Sequence, residues 1–133
     1  MTLEANVLRD DAVRATAAGY EVDVHLAWYR SLPLSCVEGI SVTVAGRTVP
    51  QEDVRVRYGG RELALDELAG LVDEWWFVQD PLTVVVPDPE PRAAGTESDV
   101  VVELATRIPY IIIGPDTALV QRTKAERKVM MIR

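Results

Sequence analysis

A chain of 133 residues with 48% apolar and 26% charged side chains is too apolar to be disordered and large enough to bury about two-thirds of its unfolded surface. Its net charge of −7 argues against nucleic acid as a partner, because that affinity comes from neutralised phosphates. Cys36 is the lone cysteine and cannot form an internal disulfide, no basic and then apolar leader opens the sequence, and no apolar run nears the ~18 residues of a membrane span. The expectation is a single domain over 1–133, cytoplasmic, with no membrane partner.

Alternation with a period of two dominates the sequence in chain order. From Tyr20 to Trp28 the even positions are Tyr20, Val22, Val24, Leu26 and Trp28, with Glu21, Asp23 and His25 between them, the pattern of a half-buried antiparallel strand. Residues 28–35, WYRSLPLS, leave that strand as an apolar, aromatic loop that cannot stay regular at Pro33. Ile40, Val42 and Val44 alternate with Ser41 and Thr43 up to a turn at Ala45-Gly46. Val54, Val56 and Tyr58 alternate with Arg55 and Arg57 up to Gly59-Gly60, a tight hairpin turn returning through Leu63 and Leu65. Leu65, Leu68, Val72 and Trp75 predict one or two helical turns capped by Asp66, weakened by Gly70. Trp75-Trp76-Phe77, if extended, puts one tryptophan in the core and leaves the other exposed or covered; as structure these aromatics plug one end of the fold, and as function one of them stacks on a sugar or aryl ring. Leu82–Val86 is a β-rich run, residues 87–95 are a polar proline-rich loop, Val100 to Ile108 is the longest late strand, and Val129–Ile132 closes the chain. The sum is an all-β fold: an antiparallel β-sandwich of about seven or eight strands with at most one short helix.

Residues 106–122, TRIPYIIIGPDTALVQR, break this pattern. Pro109 lacks an amide donor, so the run through Tyr110, Ile111, Ile112 and Ile113 is not an ordinary central strand, and it turns at Gly114-Pro115-Asp116. Such an isoleucine-rich segment must be hidden from water either by the domain's own core or by another chain, and with so little here that looks like a self-sufficient active site, the second is favoured. Charge divides at the same place. Residues 1–106 carry 19 acids and 8 bases, whereas 107–133 carry 6 bases and 2 acids. Residues 107–128 are therefore expected to form an extended loop or arm that docks on a partner, the alternative being a solvated tail.

The inventory for catalysis is thin. His25 is the lone histidine and is expected at the surface of its strand; zinc sites need several His or Cys ligands, and this chain has one of each. There is no Gly-x-Ser-x-Gly elbow, Tyr58-Gly59-Gly60-Arg61 is a turn and not a phosphate loop, and no carboxylate pair stands out.

The order of segments has a parallel. A strand ending in WYRSLPLS at 28–35 leads to VEGISVTVAG at 37–46 and a Val49-Pro50 break. RYGGREL at 57–63, the Asp66-Glu67-Leu68 turn, Trp75-Trp76-Phe77 and Arg107-Ile108-Pro109-Tyr110 follow. From about Tyr20 onward this resembles the small β subunit of bacterial C-glycoside deglycosidases. The resemblance implies a β-sandwich paired with a larger α subunit, a barrel that holds a divalent metal, manganese being the expected ion. It further implies cleavage of the carbon–carbon bond between an aromatic aglycone and a 3-keto sugar, with the metal ligands and acid–base groups in the α subunit. On this reading the chain supplies no catalytic residue and no metal ligand. Tyr110, Ile112 and Pro115, then Tyr29 and Leu32, are the candidates for contact with substrate or partner, on two loops that leave strands at prolines and project toward the barrel mouth. Two other classes compete: a free-standing carbohydrate- or ligand-binding sandwich using Trp75 or Trp76 as a platform, and a small hydrolase using carboxylates.

Overall fold

Where apolar side chains recur at every second position the chain is extended, and the alternating stretches join into sheets. The structure is a computed structural model that describes residues 7–28, 30–89, 91 and 93–132. In chain order its strands are β1 (Val13–Thr16), β2 (Gly19–Val24), β3 (Leu32–Pro33), β4 (Val37–Val44), β5 (Arg47–Thr48), β6 (Arg55–Tyr58), β7 (Arg61–Ala64), β8 (Trp75–Trp76), β9 (Leu82–Pro87), β10 (Glu97–Gly114) and β11 (Thr117–Met130). One sheet runs β1-β2-β9-β6-β7, a second β11-β10-β4-β5, and β3 pairs with β8 in a two-stranded ribbon. All these strand pairs are antiparallel. Tyr20, Val22, Val24, Val56, Leu82, Val84 and Val86 of the first sheet share one buried cluster with Ile40, Val42, Val44, Val100, Val102 and Leu104 of the second. The fold is thus an all-β antiparallel sandwich. The described residues form eleven strands, eight of them longer than two residues, in line with the seven or eight expected; the three two-residue strands β3, β5 and β8 leave no periodic signal.

Local chemistry sets the corners. Gly59 and Gly60 have φ of 60° and 80°, the double positive φ that joins two strands with a two-residue turn. Gly19 sits where β2 meets β9, and a Cβ there would lie 2.1 Å from the Val86 carbonyl oxygen, so only glycine fits. The helical turns expected after Leu65 are a 3-10 turn over Leu65–Gly70. Asp66 does not cap it; the Glu67 carboxylate reaches back and accepts the Ala64 N–H at 2.9 Å.

Two strand expectations need correction. The strand predicted from Tyr20 to Trp28 stops at Val24, where its partner β9 begins with Leu82 and the His25 N–H turns to the Val7 carbonyl at 3.1 Å. The arm expected to be a loop is instead regular. β10 and β11 pair from Glu97↔Met130 as far as Gly114↔Thr117, with register shifts between Ile108 and Ile112 and between Ile112 and Gly114. Those shifts open the ladder where Pro109 has no donor to give. β4 pairs with β10 only from Val100↔Val44 to Thr106↔Val37. Beyond Ile108 the hairpin is therefore a two-stranded ribbon that outruns the sheet.

Among the described residues no helix is long and apolar enough to cross a membrane.

Candidate functional site

The ribbon begins with an anchor. Arg107 donates to Glu38 at 2.9 Å and to the Ser35 carbonyl at 3.4 Å, tying the last part of β10 inside the sheet to the turn before β4. Ile108 is fully buried, whereas Ile111 only packs against the edge of the core. Past them the side chains face water: Tyr110 is 47% exposed, Ile112 62% and Ile113 63%. The ribbon turns at Pro115 and Asp116, both exposed, with Asp116 at φ 54° and the Thr117 hydroxyl donating to the Pro115 carbonyl at 3.0 Å. No third strand pairs with this ribbon among the described residues, so its isoleucines form an exposed apolar patch.

Tyr110 links the ribbon to the loop after β2. Its hydroxyl accepts the Trp28 indole N–H at 2.5 Å, and the Arg30 guanidinium lies 5.3 Å from its ring centroid, a cation–π distance. The loop after Trp28 and the ribbon after Ile108 thus meet at one end of the sandwich. Of the other candidates, Leu32 is 2% exposed and lies in the core, paired with Trp76 across β3 and β8, so within this chain its side chain offers no surface for the contact with substrate or partner expected of it. Tyr29 lies outside the described residues.

The tryptophan pair divides by strand parity. Trp76 is fully buried and its indole N–H donates to the Asp80 carbonyl at 2.8 Å, which removes it as a stacking platform, while Trp75 and Phe77 on the opposite parity are about half exposed (47% and 49%). The backbone beside them is held by side chains: the Phe77 N–H donates to the Tyr58 hydroxyl and the Val78 N–H to the Ser31 hydroxyl, both at 2.9 Å. Sequence reasoning missed Arg30, Phe77 and Val78 as parts of this end. Parity alone would have put Phe77 outside with Trp75, but nothing in the sequence announces that Arg30 lies over Tyr110.

Several polar groups elsewhere are engaged within the chain. On the outer face of the first sheet Arg14 donates to Asp23 at 2.8 Å and to Glu21 at 3.3 Å, and Arg57 donates to Glu21 at 3.2 Å. Burial alone would push the Asp23 carboxyl up, but hydrogen bonds from Arg14 and Thr83 outweigh it and hold it below its ordinary range. Contrary to the surface position expected for it, His25 is buried at 7% exposure. Its Nδ1 has no hydrogen-bond partner among the described residues, and burial, aided by the Arg9 charge, lowers its pKa. Cys36 is buried beside Arg107, and burial pushes its thiol up despite that cation. No group of three His, Cys, Asp or Glu side chains able to hold a metal ion occurs among the described residues.

Fold and site together define a β-sandwich with ion pairs on the outer face of its first sheet and with most of its large exposed apolar side chains, among the described residues, on a projecting ribbon and the loops at its base. The C-glycoside deglycosidase beta subunit family matches residues 2–110, and this chain belongs to that family. It is 39% identical over 128 residues to a C-glycoside deglycosidase beta subunit of Microbacterium trichothecenolyticum, covering 96% of this chain and 92% of that one. It is 37% identical over 131 residues to one from Arthrobacter globiformis, covering 98% and 99%. A 3'-dehydrocarminate deglycosidase beta subunit of a Microbacterium species is 33% identical over 121 residues, covering 91% of this chain and 90% of its own length. The chain is thus a beta subunit of a deglycosidase, a component of a hetero-oligomer with an alpha partner.

Proposed function

We propose that this chain is the non-metal-binding β subunit of a cytoplasmic carbon–carbon lyase that cleaves 3-oxo-C-glucosides of aromatic aglycones such as flavonoids. The observation that carries the reading is its similarity, over nearly its whole length, to beta subunits named for C-glycoside deglycosidases. A keto group at C3 acidifies the C2 proton. Loss of that proton, with protonation of the ring carbon attached to C1, lets the C1–aryl bond break. Its electrons return to the aromatic ring while a C1–C2 double bond forms. A divalent ion, expected to be manganese and held by a barrel-shaped α subunit, would stabilise the charge that develops beside the keto oxygen. No ligand set for it is assigned to this chain.

The role of this chain is to complete and cover the site. Tyr110, Ile112 and Pro115 on the ribbon, beside the loop that holds Tyr29, would close over the barrel mouth, exclude water and pack against the flat aglycone. Leu32, being core, would act only by shaping that loop. The test is expression of the chain with and without its α subunit, followed by assay of aglycone release from a 3-oxo-C-glucoside. The complex should release the intact aglycone and an unsaturated keto sugar, and the chain alone should release nothing. Cleavage by the isolated chain, or a complex that only hydrolyses O-glycosides, would overturn the reading.

A further inference from the structure

The large exposed apolar side chains of the described residues are Val72, Trp75, Phe77, Val78, Tyr110, Ile112, Ile113, Met130 and Ile132. Six of them, Trp75, Phe77, Val78, Tyr110, Ile112 and Ile113, fall in two segments that lie close together. Arg30 sits over Tyr110, its neighbour Ser31 accepts the Val78 N–H, and Pro33 pairs with Trp75, so three consecutive contacts run from the ribbon to the Trp75–Val78 loop. Met130 and Ile132 belong to the other end of the sandwich, opposite Glu97 and Arg14. The Trp75–Val78 loop is also fixed in place. Hydrogen bonds from Phe77 N to Tyr58, from Val78 N to Ser31, from the Trp76 indole to the Asp80 carbonyl and from Asp80 N to the Phe77 carbonyl lock its backbone while Trp75 and Phe77 point to solvent. A loop held with its rings outward has met the ordering cost of binding in advance.

We infer that the Trp75–Val78 loop and the Tyr110–Ile113 segment form one docking face for the α subunit, with Arg30 between them. The partner surface that fits is apolar and carries a carboxylate opposite Arg30. Arg14, Arg47, Arg55, Arg57, Arg61 and Arg107 all have carboxylate partners within the chain, whereas Arg30 has none among the described residues; Arg9, Arg122 and Arg127 share that lack, and what sets Arg30 apart is its exposed place over the Tyr110 ring at the base of the ribbon. Aromatic anchors with an arginine among them are the usual centre of an interface that carries most of its binding energy in few residues. The inference rests on the assignment as a beta subunit and extends the proposed contact from the ribbon to a second element; it does not depend on the lyase chemistry.

The experiment is co-purification with a tagged α subunit, comparing the wild-type chain with W75S/F77S, R30E and M130S. The β chain retained by the α subunit should fall about tenfold or more in W75S/F77S and in R30E and stay at the wild-type level in M130S. Thermal melting of each soluble variant reports folding separately, and R30E alters an exposed side chain, so it decides the matter if W75S/F77S is unstable. Retention of folded W75S/F77S or R30E at wild-type levels would overturn the inference. So would a cross-link formed through the introduced thiol of a Trp75→Cys variant that joins two copies of this chain in the presence of excess α subunit. An assembled wild-type complex that fails to cleave a 3-oxo-C-glucoside would count against the lyase reading and leave the docking face standing.

Discussion

At the scale of single residues, His25 and Tyr110 illustrate opposite uses of a polar group. His25 is enclosed, its Nδ1 without a partner among the described residues, and burial favours its neutral form, so its pKa lies below the ordinary 6.5. An unfolded chain then binds a proton in the window just below pH 6.5 that the folded chain refuses, and stability must rise with pH there. The stability that the neutral imidazole contributes is present above that pH and is lost as the pH falls toward the folded value. The Asp23 contribution has the same sign but a lower window, because its pKa lies below 3.8. Urea midpoints should therefore drop between pH 7 and 5.5, and a His25→Gln variant should lose most of that slope while keeping the steeper loss below pH 4. A wild-type midpoint flat from pH 7 to 5.5 would contradict the buried neutral imidazole. Tyr110 uses its polar group at the surface, where the hydroxyl accepts from Trp28 and its own proton is free to donate outward. Replacing Tyr110 or Ile112 by alanine should weaken assembly or aglycone binding by about tenfold, the scale of one interface anchor, and leave the metal content of the complex unchanged. Wild-type assembly and turnover in both variants would show the ribbon to be idle.

At the scale of elements, the sandwich strands were legible because each has one wet face. Glu21 and Asp23 between Tyr20, Val22 and Val24, or Ser41 and Thr43 between Ile40, Val42 and Val44, reveal both the strand and its inner side. The ribbon was illegible for the converse reason. Beyond Ile108 neither face is core, alternation stops, and Pro109 argues for a break that the register shifts absorb. The basic stretch near the end of the chain, expected to be an arm or a solvated tail, is the edge strand β11. Lys124 pairs there with Glu126 at 3.1 Å and Arg127 donates to the Leu8 carbonyl at 3.0 Å. Charges along an edge strand also discourage pairing with stray strands, so they need no acidic partner to explain them. The ends of the candidate site were half legible: the two proline exits were visible, but the contacts between them depend on tertiary packing. Because β4 pairs with β10 only up to Thr106, the ribbon should be separable from the fold. Replacing residues 109–118 by Asn-Gly joins Ile108 to its register partner Leu119 through a two-residue turn. The shortened chain should melt within a few degrees of wild type, a loss of about 1 kcal/mol or less for Ile111, and should lose assembly with the α subunit. A shortened chain that unfolds would place the ribbon in the core, and one that assembles normally would remove it from the interface.

For the whole molecule, charge and apolar surface pull in different directions. A net charge of −7 keeps the bodies of separate chains apart, while the Trp75, Phe77, Tyr110, Ile112 and Ile113 side chains at one end reward any contact that covers them. Repulsion between like bodies weakens self-association through that end but does not remove it, and a partner of complementary shape wins the competition. Made without its α subunit, the chain should therefore be poorly soluble or self-associated, increasingly so as salt screens the charge. Made with it, the two should elute as one complex of fixed stoichiometry whose size is independent of concentration over the working range. Separation of the subunits by mild denaturant, followed by elemental analysis of each, should then find the transition metal with the α chain, since this chain groups no three metal-binding side chains among its described residues. A monodisperse monomer that ignores the α subunit in size-exclusion chromatography would overturn the assembly argument. A stoichiometric ion in the purified β chain would overturn the proposed division of labour between the subunits.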